Sequence, residues 1–233
     1  MADRPAVLAI AGSDSSGGAG LTADQRAIED QGARILPVVT AVTAQGPGGV
    51  THIHPVPIEN FRAQLLAALA FEPRAIKVGM LATGAHVDVV AQLMKSATHV
   101  PPVIIDPVLA STSGTALLDP GGIDKLALLT GLTALWTPNQ QELARLGNML
   151  DNSAVLVTGG DVMGTTVVDV LRRPGHGDQV FSRDRIPGPS PRGTGCTLAS
   201  AIAAQLAVGQ ELHSAVARGI GYTAERIVQS VEP

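Results

Sequence analysis

The sequence predicts an α/β fold: a mostly parallel central sheet with helices on both faces and a late antiparallel hairpin. Two observations predict it. Strand and helix signals alternate along most of the 233 residues, the order that builds repeated βα units. Hydrophobic residues make up 45% of the chain but aromatics only 2%, so the interior must be Val, Leu, Ile and Ala. Such aliphatic runs suit parallel strands buried on both faces.

In order, residues 7–11 read as a strand, followed by Gly-rich residues 12–20 and an amphipathic helix at 21–31. Residues 34–44 are β-branched and read as a second strand; 53–56 is a short one, confined to an edge by Pro55 and Pro57. Helical periodicity at 58–70 leads to a strand at 75–78, a helix at 85–96 and a strand at 103–106 ending in Asp106-Pro107. A helix at 122–129 precedes a strand at 133–137, then a short helix at 140–145 and a strand at 154–157 before Gly159-Gly160. Residues 165–172 and 179–184 read as an antiparallel pair, because the polar segment between them is too short for a crossover helix. Helices at 195–208 and 211–231 follow. No internal repeat or long linker interrupts this rhythm, so residues 1–233 are expected to form one domain.

Composition excludes several classes of function. The net charge is −4 without a basic cluster, which argues against nucleic acid as a partner. A single cysteine rules out an intramolecular disulfide and fits a reducing cytoplasm. The apolar run at 6–11 is short and ends in Gly12-Ser13-Asp14, unlike a signal peptide. Uncharged residues 193–210 read as a buried helix rather than a membrane span. Charged residues amount to only 15%, which points to some surface buried in an oligomer.

In a sheet of this kind ligands bind beyond the carboxyl ends of the strands, and every unusual motif falls in those loops. In Arg192-Gly193-Thr194-Gly195-Cys196-Thr197, two glycines flanking a threonine let successive N–H groups point at one spot. The helix that follows adds the positive end of its dipole, so the turn suits an anion. Cys196 stands at that helix start, where the dipole lowers a thiol pKa and favours a reactive thiolate. Phosphate cradle and reactive side chain coincide, which points to phosphoryl transfer. A tight connection beside a buried apolar cysteine fits the same residues.

Other candidates surround this turn. Residues 11–20, with Asp24 on the next helix, let a ligand approach the backbone and offer a carboxylate to a hydroxyl or amine. The Gly-Lys-Ser/Thr ending of a Walker loop is absent, and a flexible glycine loop is the alternative. Asp106 and Glu142 end or follow neighbouring strands and suit Mg²⁺, which keeps most of its water. Asn139 with Glu142 also reads as a capping box. His52 and His54 alternate on a strand without further ligands, His176 fits a turn, and Trp136 fits the core.

These pieces, in this order, resemble the hydroxymethylpyrimidine and hydroxymethylpyrimidine-phosphate kinases of thiamin biosynthesis, within the ribokinase-like superfamily. The matching signatures are residues 11–20 with Asp24, Thr43-Ala44-Gln45, Lys77-Val78-Gly79-Met80-Leu81, Asp106-Pro107-Val108, Ser113-Gly114, Thr137-Pro138-Asn139 with Glu142, and residues 193–197. The resemblance implies a three-layer ribokinase-like fold, ATP and Mg²⁺ as cofactors, and a homodimer. It places Gln45 on the aminopyrimidine edge, Asp24 and Gly12 near the hydroxymethyl group, and Met80 against the ring, with Val108 beside it. Gly193, Thr194, Gly195 and Cys196 form the anion hole, with Cys196 the base toward an alcohol acceptor. Asp106 and Glu142 organise Mg²⁺, and Asn139, Thr158 and Gly160 face the nucleotide.

The chain departs from the family it resembles at charged positions. Thr158 stands where a lysine is usual, Asp161 where a histidine is usual, and Thr112 where a second lysine is usual. Arg192 replaces a histidine and is expected to compensate by gripping a phosphate bidentately. The expected reaction converts hydroxymethylpyrimidine phosphate to its diphosphate, with the free alcohol as a further acceptor. Two other readings stand: a pyridoxal or pyridoxine kinase, and a degenerate kinase that binds the pyrimidine without turnover.

Overall fold

The computed structural model describes residues 4–188 and 191–231. Nine strands form one sheet in the order β3-β2-β1-β4-β5-β6-β7-β8-β9. They are β1 (Ala6–Asp14), β2 (Arg34–Gly46), β3 (Gly49–Pro55), β4 (Ala75–Val78), β5 (Val103–Ile105), β6 (Leu135–Trp136), β7 (Val155–Val157), β8 (Thr166–Arg172) and β9 (Gln179–Asp184). The six strands from β2 through β7 in that order pair parallel, while β3 and the β8–β9 pair run antiparallel at the two edges.

Alternation along the strands sorts their side chains onto two faces. Leu8, Ile10, Ile76, Val78, Val103 and Ile105 point to one core, and Val7, Ala9, Ala75, Ile104 and Leu156 to the other. The first is covered by α2 (Ile58–Leu69) and α3 (Gly84–Ser96), through Phe61, Leu65, Val87 and Val90. The second is covered by α1 (Gly20–Asp30), α6 (Thr194–Ala207) and α7 (Leu212–Val231). The α6 helix is almost all small residues because it lies between sheet, α1 and α7. At the α6–α7 crossing, a Cβ on Gly219 would come within 2.6 Å of Ile202. Trp136 is fully buried, as expected of a core residue.

The expected three-layer architecture holds, with differences that have local causes. A hairpin stands at both edges, not only at the late one. The β3 strand begins at Gly49 rather than residue 53 because its polar residues Thr51, His52 and His54 face outward on an edge. The β1 strand continues through Asp14, with a register shift at Gly12 that bends its end over the sheet. The helix expected at 122–129 splits: α4 (Pro120–Lys125), capped by Asp119 accepting from the Gly122 N–H, passes into a 3₁₀ turn at Leu126–Leu132. The short α5 (Gln140–Leu146) follows β6. No helix among the described residues is long and apolar enough to cross a membrane.

Candidate active site

A cavity of about 370 Å³ opens at the carboxyl ends of the parallel strands. Gly12 enters it from β1, Gln45 from β2, Met80 after β4, Asp106 and Val108 after β5, Asn139 and Glu142 after β6, and Thr158 and Gly160 after β7. Arg192, Gly193, Thr194, Gly195 and Cys196 approach from the α6 side. Cys196 and Gln45 both line this cavity, as do Thr112 and Asp161.

The anion turn is built by backbone chemistry. Gly193 caps α6 in the left-handed region at φ 76°, and a Cβ there would lie 2.3 Å from the Gly18 carbonyl oxygen. Only glycine fits. Thr197 makes the first intrahelical bond, to the Gly193 carbonyl at 2.8 Å, so the N–H groups of Thr194, Gly195 and Cys196 have no helical partner. Facing them, the 14–20 loop is not a flexible glycine tract. Asp14 organises it, accepting from the Ser16 and Ala19 N–H groups at 2.8 Å each.

Two acidic groups and the thiol share the floor. Cys196 is half-buried and lies beside Asp106. Burial, and then the negative charges of Asp106 and Asp24, push the thiol well above its ordinary value, although Lys77 pulls the other way. This corrects the expectation of a thiolate: desolvation outweighs the dipole of α6. Asp106 is buried, its Oδ2 has no hydrogen-bond partner, and burial raises its pKa against the pull of Lys77. Glu142 completes the capping box with Asn139, accepting from its N–H at 2.9 Å. Burial and the neighbouring Asp106 push Glu142 up to about 8. Two mutually repelling carboxylates, one with an unpartnered oxygen, suit a cation that brings its other ligands with it. No cluster of three or more potential metal ligands exists among the described residues, His52 and His54 included.

Two expectations are corrected. Asp24 does not reach the cavity; it is fully buried, with Oδ1 taken by the Lys77 ammonium at 2.7 Å and the Ser200 hydroxyl at 2.8 Å. Alternation puts Lys77 on the α6 face of the sheet, under the turn, where α1 and α6 each bring a polar partner. Burial works against the ammonium, but Asp24 and Asp106 hold it above the usual lysine range. Arg192 does not present its fork to a phosphate. Its terminal nitrogens donate to the Gly46 carbonyl at 2.7 Å and the Pro47 carbonyl at 3.0 Å.

Lys77 and Asp14 lie within the matching signatures without a role there, and Ser200 and Arg185 lie outside them. A lysine inside the apolar run 75–78 and a serine in an alanine-rich helix were the signals available for Lys77 and Ser200. Arg185 gave none. Its side chain donates to the carbonyls of Gly160, Val162 and Gly164, stapling the loop after β7.

Known proteins share both sequence and shape with this chain. The chain is 35% identical over 231 residues to the hydroxymethylpyrimidine/phosphomethylpyrimidine kinase of Streptomyces coelicolor, covering 91% of this chain and 84% of that protein. The phosphomethylpyrimidine kinase of Clostridium difficile 630 superposes with a TM-score of 0.80 at 29% identity, over 98% of this chain and all of that one. The pyridoxal kinase of Bacillus subtilis, solved with ADP, superposes with a TM-score of 0.85 at 29% identity, over 94% and 90% of the two chains. The chain spans 30% of the length of a thiamine biosynthesis multifunctional protein of Corynebacterium glutamicum, to which it is 33% identical over 231 residues. The sequence profile described as phosphomethylpyrimidine kinase matches residues 14–233, which takes in the anion turn, both floor carboxylates and Gln45, and on that match the chain belongs to the phosphomethylpyrimidine kinase family.

Proposed function

We propose that this chain phosphorylates 4-amino-5-hydroxymethyl-2-methylpyrimidine phosphate to the diphosphate with ATP, and accepts the free alcohol as well. One observation carries the proposal. Cys196, the rest of the 193–196 turn and Gln45 line a single cavity at the carboxyl edge of the sheet. Gln45 offers both a donor and an acceptor to an aminopyrimidine edge. Met80, whose sulfur leaves no room for a Cβ at Gly12, packs one face of the space a flat ring would fill.

The turn amides of Thr194, Gly195 and Cys196 stabilise charge on the moving phosphoryl group. Asp106 and Glu142 are the residues that would hold Mg²⁺, which when bound supplies positive charge to phosphate oxygens. The resting sulfur is a thiol, so Cys196 serves as base only after losing its proton, a state favoured by Lys77 beneath it. An alcohol acceptor needs that base, whereas a phosphate acceptor is already ionised. Replacement of Cys196 by Ala is therefore expected to lower kcat on the alcohol by about 100-fold or more, with a smaller loss on the phosphate. Coupled ADP release with each acceptor measures this, and no turnover of either by the wild type would overturn the reading.

A pyridoxal kinase activity is the second reading, favoured by the superposition on the Bacillus subtilis enzyme. Competition between pyridoxal and the pyrimidine in one assay decides between them.

A further inference from the structure

We infer that Arg192 and Ser15 are positioning residues for Gln45, clamping the hairpin turn that carries it and fixing that turn to the anion turn. The inference rests on the reading of Gln45 as the acceptor-binding residue. Gln45 sits where the β2–β3 register slips, immediately before Gly46-Pro47-Gly48-Gly49. The turn is open at Gly46 and Gly48, where a Cβ would meet nothing within 4 Å, whereas Gly49, at φ 99°, is buried against Ser113. Polar contacts hold the open part. The Ser15 hydroxyl donates to the Gln45 carbonyl and accepts from the Gln45 N–H, each at 2.8 Å. From the other side the Arg192 guanidinium donates to the Gly46 and Pro47 carbonyls.

The arrangement has a consequence for the reaction. Arg192 is bonded directly to Gly193, so one side chain sets the distance between the amide that reads the acceptor and the turn that holds the phosphoryl group. Errors of about 1 Å in such a distance are costly to transfer. A planar fork matches two successive carbonyls, whereas a lysine reaches them only as a point charge. Both clamping residues are at least partly exposed, so their replacement leaves the core untouched.

Arg192→Ala, Arg192→Lys and Ser15→Ala test the clamp by steady-state kinetics with the free alcohol and the phosphate acceptor, and by hydrogen exchange at residues 44–50. In Arg192→Ala and Ser15→Ala, KM is expected to rise about 10-fold for both acceptors, in Arg192→Ala kcat is also expected to fall about 10-fold for both, and the KM for ATP should stay within about threefold of wild type. Arg192→Lys should recover part of this loss, and the 44–50 amides should exchange faster in the alanine variants. A rise in KM for the phosphate acceptor alone would make Arg192 a phosphate ligand and overturn the clamp. Unchanged exchange at 44–50 would overturn it too. A wild type inactive on both acceptors, with exchange responding as expected, would leave the clamp supported and remove the functional reading instead.

Discussion

Replacing Gly193 by Ala tests the anion turn at the point where its geometry is least forgiving. The residue lies at φ 76°, and an L side chain in the left-handed region costs about 1–2 kcal/mol. The added Cβ would also stand 2.3 Å from the Gly18 carbonyl oxygen, about 1 Å short of an ordinary carbon–oxygen approach. That oxygen belongs to the loop organised by Asp14, so the turn must yield rather than the carbonyl. A shift of about 1 Å in a group that positions the phosphoryl is expected to lower kcat by about 100-fold. Gly209→Ala is the control at the other end of α6. It carries comparable strain at φ 93°, but its Cβ meets nothing within 4 Å. Both variants should lose a few degrees of Tm, about 2–4 °C per kcal/mol for a domain of this size. Only Gly193→Ala should lose turnover, measured as coupled ADP release. A Gly193→Ala enzyme with wild-type kcat would refute the assignment and reduce the turn to a connection.

The buried pair beneath the turn makes a stability prediction. Lys77→Met strands a fully buried Asp24 and should cost about 3–5 kcal/mol in urea unfolding, whereas Lys77→Met combined with Asp24→Asn should recover much of it. A single variant as stable as wild type would contradict this. His86 gives the pH dependence: it is 1% exposed, its Nε2 donates to the Val56 carbonyl at 3.1 Å, and its ring meets Phe61 edge-on at 4.7 Å between centroids. Burial depresses its pKa against the pull of that carbonyl and of Asp119. The unfolded chain therefore takes the proton first. Stability is full above about pH 6.5 and falls as pH drops below it, by at most about 1.4 kcal/mol per unit. Unfolding midpoints between pH 7.5 and 5.5 should decline less in His86→Gln than in wild type.

Much of the fold was legible because burial on both faces leaves a mark on composition. The apolar runs at 7–11, 103–105 and 154–157 can only be interior strands, and the cavity loops follow from where such strands end. The front half of β3 was not legible. Its Thr51 and His52 lie on an edge, where no core selects the residue type, so no apolar residue marks where the strand begins. The pairing of Lys77 with Asp24 and Ser200 was equally hidden, since 53 and 123 residues separate the lysine from its partners' carboxylate and hydroxyl.

Legible in the order of amino acids alone were the layered architecture, the glycine turn before α6 and the membership of Gln45, Asp106, Glu142 and Cys196 in one set of strand-end loops. Local backbone preference and side-chain periodicity decide these, and both can be read from neighbours in the chain. Tertiary structure alone decided the charge states and the hydrogen-bond partners. It turned a presumed thiolate into a thiol, moved Asp24 from the cavity to the core and turned Arg192 toward the hairpin carbonyls. Desolvation and hydrogen bonding depend on what lies within a few ångströms in space, and residues distant in sequence supply it.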